Sequence, residues 1–136
     1  MSLGAFLLPA LLVGVGGGAG SVVRWGVAEF ADRLAAARAP QWAELMRPAA
    51  TFLANILACF LLGLVVARIG SAGGAGELTY LALSVGFCGG LSTLSTAAFD
   101  IVDLVRRRTF SLALAYLLLS IGVGMAALWL GLVIAS

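Results

Sequence analysis

Four apolar stretches, each about as long as a bilayer is thick, constrain the fold of this chain more than any other feature. About 20 consecutive apolar residues suffice for a helix to cross a membrane. The chain has 136 residues, of which 62% are hydrophobic and 10% are charged, too few polar side chains to cover a soluble domain of this size. We therefore predict a single all-α membrane domain, residues 1–136, with four transmembrane helices at about residues 5–28, 50–67, 78–99 and 110–135.

Arginine supplies all eight basic residues, and its placement predicts an orientation. The first and third predicted connections contain Arg33, Arg38, Arg47, Arg106, Arg107 and Arg108, whereas only Arg68 borders the second. Because basic residues near helix ends stay in the cytoplasm, we expect a multi-pass protein of the plasma membrane (the cell inner membrane) with both termini outside the cytoplasm. The run at 106–108 is short and lies beside acidic residues, so no nucleic-acid partner is expected.

Enzymatic chemistry lacks its parts in this sequence. There is no histidine, and the two cysteines, Cys59 and Cys88, lie inside predicted spans. Zinc, haem and Cys/His nucleophilic sites are therefore not expected. Every carboxylate falls at or beyond the end of a predicted helix, which leaves no buried acid/base pair. We expect a protein that is not an enzyme.

The third apolar stretch contains a cluster of glycines followed by a run of hydroxyls. Residues 86–90 read Gly-Phe-Cys-Gly-Gly, and residues 92–96 read Ser-Thr-Leu-Ser-Thr. In hydrocarbon, backbone that leaves the helical ladder persists only where it is buried in protein or lines a cavity. We therefore predict that the third helix is broken between Gly89 and Ser92 and that the break forms a site.

Other helices add polar groups. Asn55 follows Thr51 by four residues in the second helix, and the fourth helix carries Tyr116 and Ser120 at the same spacing. The amide of Asn55 either bonds to a neighbouring helix or faces a polar path, and the pattern leaves both open. Hydroxyls can bond back to the preceding turn, but so many from three helices indicate groups that replace the water shell of a small ion.

In order and spacing, these residues resemble the Fluc-type (CrcB-like) fluoride channels. The resemblance rests on Gly16-x-Gly18-x-Gly20-x-x-x-Arg24, Thr51-x-x-x-Asn55, the motif at residues 86–96 and Tyr116-x-x-x-Ser120. It implies a dimer of antiparallel subunits in the lipid bilayer, with two pores for passive fluoride export. It also implies a structural sodium ion buried at the dimer interface.

The resemblance assigns a role to individual residues. The sodium ion would be held by the backbone carbonyls of Gly89 and Ser92, since a hard cation prefers oxygen ligands and glycine can leave the helical ladder. Arg24 would lie in a vestibule, and Asp100 stands where the family usually has glutamate. The fluoride path would be lined by Asn55, Ser95, Thr96, Tyr116 and Ser120.

The chain departs from the family pattern at Leu94 and Ala97, where the family has phenylalanines whose positive ring edges face fluoride. Three interpretations follow. The chain is half of a heterodimer with an oppositely oriented paralogue that supplies the phenylalanines, which the arginine bias favours. Alternatively, it is a homodimer with altered or lost conduction, a non-conducting channel homologue. A third interpretation, a small four-helix multidrug or cation transporter, needs an acidic residue in the first helix, and residues 5–28 contain none.

Overall fold

The computed structural model of the protein describes residues 3–38 and 40–136. These residues form helices and no β-strand. Four helical segments among them are long and apolar enough to cross a membrane: Phe6–Arg38, Glu44–Ile69, Ala75–Arg106 and Phe110–Ala135. The prediction of an all-α membrane protein with four transmembrane helices is therefore confirmed, and the chain is a multi-pass membrane protein.

The third spanning segment is composite, whereas the other three are continuous. We number the α-helices in chain order as α1 (Leu3–Arg38), α2 (Ala43–Ile69), α3 (Ala75–Leu81), α4 (Gly89–Leu91), α5 (Leu94–Arg106) and α6 (Phe110–Ala135). A short 3₁₀ turn, Pro40–Trp42, precedes α2, and a π-helix, Ala82–Cys88, joins α3 to α4. The third segment thus consists of α3, the π-helix, α4 and α5.

The first helix is longer than the sequence pattern predicts. It was expected to end near residue 28, but α1 continues to Arg38. Residues 29–38 are rich in alanine, the best helix former, and the Arg33 Nε lies 2.8 Å from the Glu29 carboxylate one turn earlier. Charged side chains lower the hydropathy of residues 29–38 as a loop would, although the helix continues through them. Several arginines assigned to connections therefore lie on helix ends.

Glycines allow the helices to approach closely at two crossings. A Cβ at Gly20 of α1 would overlap the carbonyl oxygen of Phe87 in the π-helix. Where α2 crosses α6, a Cβ at Gly63 would overlap the carbonyl oxygen of Leu128, and Gly131 lies in the same contact. Small residues at such crossings permit close packing of membrane helices. The glycine-rich first helix therefore packs against the third spanning segment, as its pattern indicates.

The small core lies at the level of the interruption in the third segment. Leu91, the last residue of α4, is fully buried, and it packs with Ala54 and Ala58 of α2. Leu61 and Phe87 complete this cluster. This packing holds the third segment against α2 at the point where α4 ends.

Candidate functional site

The candidate site is the interruption between α4 and α5. Ser92 (φ −76°, ψ 154°) and Thr93 (φ −150°, ψ 111°) are extended, and α5 begins at Leu94. The sequence placed the break between Gly89 and Ser92 and attributed it to glycine. Gly89, however, is helical (φ −64°, ψ −39°). The extended residues are the serine and threonine that follow, so this attribution was wrong.

Gly90 has a packing role. It lies within α4, and a Cβ there would overlap the carbonyl oxygen of Gly17 in α1. The glycine cluster therefore lets α1 approach the third segment, and the neighbouring π-helix supplies a second irregularity. Helices of the π type are rare and occur often at functional sites.

Asn55 pairs with the backbone of the interruption. The Thr93 N–H donates to Asn55 Oδ1 (2.7 Å), and Asn55 Nδ2 donates to the Thr93 carbonyl (3.3 Å). The amide thus satisfies the Thr93 N–H, which the helical ladder no longer pairs and which is costly to leave unpaired when buried. It also adds a second donor to the Thr93 carbonyl, which accepts from the Ala97 N–H of α5 (3.4 Å). Of the two possibilities that the sequence leaves open for Asn55, the bond to a neighbouring helix is present. The second N–H of its amide remains for another acceptor.

Thr93 caps the N-terminus of α5. Its Oγ1 accepts a hydrogen bond from the Thr96 N–H (3.3 Å), an N-cap interaction. The same oxygen lies 3.0 Å from Thr96 Oγ1 and 3.3 Å from Ser95 Oγ. Sequence reasoning counted Thr93 among the hydroxyls of the motif but assigned it no role of its own. A threonine directly before a helical run is the signal that could have identified it.

A cavity of about 250 Å³, lined by both polar and apolar side chains, opens beside this cap. Arg24 is the charged residue among those that line it, together with Ser21, Thr51, Thr93 and Thr96. Arg24 Nη1 also donates to the Ser92 carbonyl (3.4 Å). The structure therefore brings the predicted vestibule residue into one cavity with Thr96, and a guanidinium with several hydroxyls can bind an anion.

A second, smaller cavity of about 150 Å³ contains both predicted sodium ligands. Gly89 and Ser92 line it with Cys59, Ser84 and Cys88. The described residues contain no cluster of three His, Cys, Asp or Glu side chains that could hold a metal ion, so a cation here would depend on backbone and hydroxyl oxygens. Backbone and hydroxyl oxygens are ligands that suit a hard cation. The Ser92 carbonyl already accepts from Arg24, and the Gly89 carbonyl from Ser92 Oγ (3.5 Å), both long contacts.

Asp100 lies inside α5, in contrast to the expectation that every carboxylate falls at or beyond a helix end. The expectation was wrong because α5 continues to Arg106. Asp100 faces the side chains of Thr51 and Tyr116. Asp100 Oδ2 and the Tyr116 hydroxyl are buried, and no partner within hydrogen-bond geometry exists for either among the described residues. The phenol of Tyr116 and the carboxylate of Asp100 are thus a donor and an acceptor that lie side by side.

Local hydrogen bonds account for two other predicted groups. Ser120 Oγ donates to the Tyr116 carbonyl (2.6 Å), and Thr51 Oγ1 donates to the Arg47 carbonyl (3.2 Å). Both are bonds to the preceding turn. The contacts therefore bring Asn55, Ser95, Thr96 and Arg24 together at the interruption. Tyr116 lies beside Asp100 instead, and Ser120 bonds within α6.

The two positions that lack phenylalanine differ in exposure. Leu94 is 86% exposed, whereas Ala97 is 7% exposed. A side chain at position 94 therefore points away from its own subunit, and one at position 97 points into the packing. The two positions are not equivalent for a ring that must reach an ion.

The comparisons with known proteins agree with these observations. The profile of the family described as CrcB-like protein, Camphor Resistance (CrcB), matches residues 11–132. The chain is 40% identical over 126 residues to "Fluoride-specific ion channel FluC" of Phenylobacterium zucineum, an alignment that covers 92% of this chain and 93% of that protein. It is 36% identical over 124 residues to "Fluoride-specific ion channel FluC 2" of Rhodococcus jostii, with 91% and 96% covered.

A third relative is "Fluoride-specific ion channel FluC" of Ignicoccus hospitalis, 39% identical over 119 residues, with 88% of each chain covered. These names describe channels and not enzymes, in agreement with the expectation from the sequence. Since the family profile covers most of the chain and these relatives align over nearly their whole length, the chain belongs to the CrcB-like protein family.

Proposed function

We propose that this chain is a subunit of a fluoride channel that exports fluoride passively across the plasma membrane. The observation that carries the proposal is the cavity at the interruption, where Arg24 and the hydroxyls of Thr93 and Thr96 converge inside a membrane-spanning segment. Fluoride is small and strongly hydrated, so donors must replace its water before it enters a medium of low dielectric. The names of the relatives, fluoride-specific ion channels, support the choice of ion.

The fluoride path uses the donors that the fold leaves available. Arg24 attracts the anion into the cavity, and the hydroxyl of Thr96 contacts it there. The hydroxyl of Ser95 lies beside the same cap and supplies the next donor. Asn55 contributes the amide N–H that does not donate to the Thr93 carbonyl. The unpartnered Tyr116 hydroxyl supplies a further donor, and Ser120 extends the line along α6.

A sodium ion at the carbonyls of Gly89 and Ser92 completes the proposal. Both residues line one cavity, and the contacts that their carbonyls accept within the chain are long. One chain offers two carbonyls, so a second subunit in the opposite orientation is needed to surround the ion. Bound there, sodium would supply a fixed positive charge beside the path.

We favour a heterodimer in which the second subunit is an oppositely oriented paralogue. That paralogue would have phenylalanines at the positions equivalent to Leu94 and Ala97. Leu94 projects outward, so the equivalent ring of a partner can reach this chain's donors. The arginine bias indicates one orientation, with both termini outside. Relatives with numbered names, such as FluC 1 and FluC 2, are consistent with paralogous pairs.

The transporter alternative loses support from the structure. Its first helix would need a carboxylate deep in the membrane. The acidic residues of α1, Glu29 and Asp32, lie on its last three turns, and Glu29 is paired with Arg33. Neither is placed to exchange protons for a cation at mid-membrane.

Efflux from liposomes tests the proposal. The purified chain is reconstituted alone and together with a phenylalanine-bearing paralogue, and release of fluoride is followed with a fluoride electrode beside matched chloride-loaded vesicles. We expect slow fluoride release from the chain alone, faster release with the paralogue, and no chloride release. Arg24→Gln should slow both fluoride rates. Equal release of the two halides in both preparations would contradict the proposal.

A further inference from the structure

An apolar groove opens between α2, α5 and α6, apart from the cavity at the interruption. Its volume is about 200 Å³. Leu45 and Phe52 of α2, Leu104 of α5, and Leu112 and Leu119 of α6 form most of its wall. An apolar cavity with few polar partners holds neither water nor an ion well. In a membrane, lipid acyl chains surround such a groove, and their hydrocarbon matches its apolar wall.

Arginines lie close in sequence to residues that line this groove. Arg47 directly precedes the lining residue Pro48, and the run at residues 106–108 lies between the lining residues Leu104 and Leu112. Arg107 Nη1 lies 2.7 Å from the carboxylate of Glu44 in α2. The connection between α5 and α6 therefore rests against the start of α2, which places both sets of arginines at the same rim.

The rim retains unpaired positive charge. Glu44 and Asp103, both hydrogen-bonded to Arg107, raise the pKa of its guanidinium, so this arginine is fully charged but already neutralised. Arg47 forms a long ion pair, 3.8 Å, with Asp32. Arg106 and Arg108 have no ion-pair partner in the described part of the chain. The charges of Arg106 and Arg108 are thus available to an external anion, and the long contact of Arg47 leaves it able to join them.

We propose that this groove binds an anionic phospholipid, with one acyl chain between α2, α5 and α6 and its phosphate at Arg47, Arg106 and Arg108. Basic pockets at the ends of transmembrane helices recognise such headgroups. A second copy of the chain fits less well. In the same orientation it would bring like charges to the rim. In the opposite orientation it would bring an end of the chain whose one acidic side chain is Glu77, too little negative charge to match the arginines. This inference does not depend on the proposed function.

Lipid retention measured by native mass spectrometry tests the proposal. The full chain, purified in mild detergent, is titrated with phosphatidylglycerol and with phosphatidylcholine of identical acyl chains. We expect phosphatidylglycerol to be retained about tenfold more strongly, since each arginine near the headgroup favours an anionic lipid. The double variant Arg47→Gln/Arg108→Gln should bring the two lipids within about twofold of each other.

Two further variants separate the groove from general surface charge. Arg38→Gln removes the same charge at the end of α1, from a residue that does not line the groove, and should leave the preference unchanged. Leu112→Trp, or Ala115→Phe if that variant does not fold, fills the groove and should lower retention of both lipids. Equal retention of the two lipids by the unmodified chain would overturn the proposal. So would a loss of preference in Arg38→Gln, or a groove-filling variant that changes the dimer fraction and leaves lipid retention as it was.

Discussion

Replacement of Asn55 by alanine tests whether its amide holds the interruption together. The substitution leaves the N–H of Thr93 without its partner, whereas the Thr93 carbonyl keeps the Ala97 N–H (3.4 Å), and Thr93 is only 7% exposed. Two average hydrogen bonds between membrane helices would amount to about 1.2 kcal/mol. A backbone N–H left buried and unpaired costs about 1–3 kcal/mol. Because the helical ladder cannot re-form at extended residues, we expect a loss at the upper end of this range, about 2–3 kcal/mol.

The assay is unfolding by sodium dodecyl sulfate in mixed micelles, followed by far-ultraviolet circular dichroism. Ser84→Ala is the matched control, since Ser84 is also buried and its hydroxyl bonds only to the Tyr80 carbonyl of the preceding turn (2.6 Å). This control should cost less than about 1 kcal/mol. If Asn55→Ala and Ser84→Ala unfold at the same detergent fraction, the pairing of Asn55 with Thr93 does not stabilise the fold.

Three further predictions follow from the packing and the charge pattern. Gly90→Leu should abolish folding, because the new side chain would overlap the backbone of α1. Gly18→Leu is the control and should fold, because a Cβ at Gly18 meets nothing within 4 Å. The yield of folded protein in gel filtration distinguishes the two variants. Leu94→Phe should raise fluoride efflux from the homomeric chain because this position is exposed, whereas Ala97→Phe should lower thermal stability by overpacking a buried position. If the ring at 94 has no effect on efflux, the missing phenylalanine does not limit conduction. A reporter fused after Ser136 should be active only outside the cytoplasm, and equal activity on both sides would show dual orientation.

Much of the architecture was predictable because the bilayer itself imposes it. The number of spanning helices follows from the apolar runs, and the resemblance to the family follows from the spacing of Asn55, Tyr116 and the motif at residues 86–96. The ends of the helices were less predictable. Residues 29–38 carry charges that lower hydropathy without breaking α1, so charge was mistaken for a connection.

The cause of the interruption required tertiary information. Glycine permits a break but does not impose one, and here Gly89 and Gly90 stay helical while α1 packs against Gly90. The extended conformation falls instead on Ser92 and Thr93, where Asn55 and a cap hydroxyl offer alternative partners to the backbone. The cap hydroxyl is local, but Asn55 is 38 residues away from Thr93 in sequence, a contact that no local pattern encodes.

The inward position of Asp100 also escaped the sequence. A carboxylate near the end of an apolar run is usually solvated, and the length of α5 alone places this one inside. Its neighbour Tyr116 was predicted to line the path, but the contact with Asp100 was not. The assignment of path and sodium residues remains a prediction, and the hydroxyl of Thr96 offers the sharpest test of it.

The central claim, that fluoride passes the donors at the interruption, is tested most directly by the fluoride efflux of Thr96→Val. This change keeps the shape of the side chain and removes a donor that lines the cavity beside Arg24. Thr79→Val is the control, an exposed hydroxyl bonded only to the preceding turn. A hydrogen bond to a charged group contributes about 1.5–3 kcal/mol, so Thr96→Val should slow efflux about tenfold or more while Thr79→Val leaves it unchanged. Equal efflux rates in the two variants would place the fluoride path elsewhere.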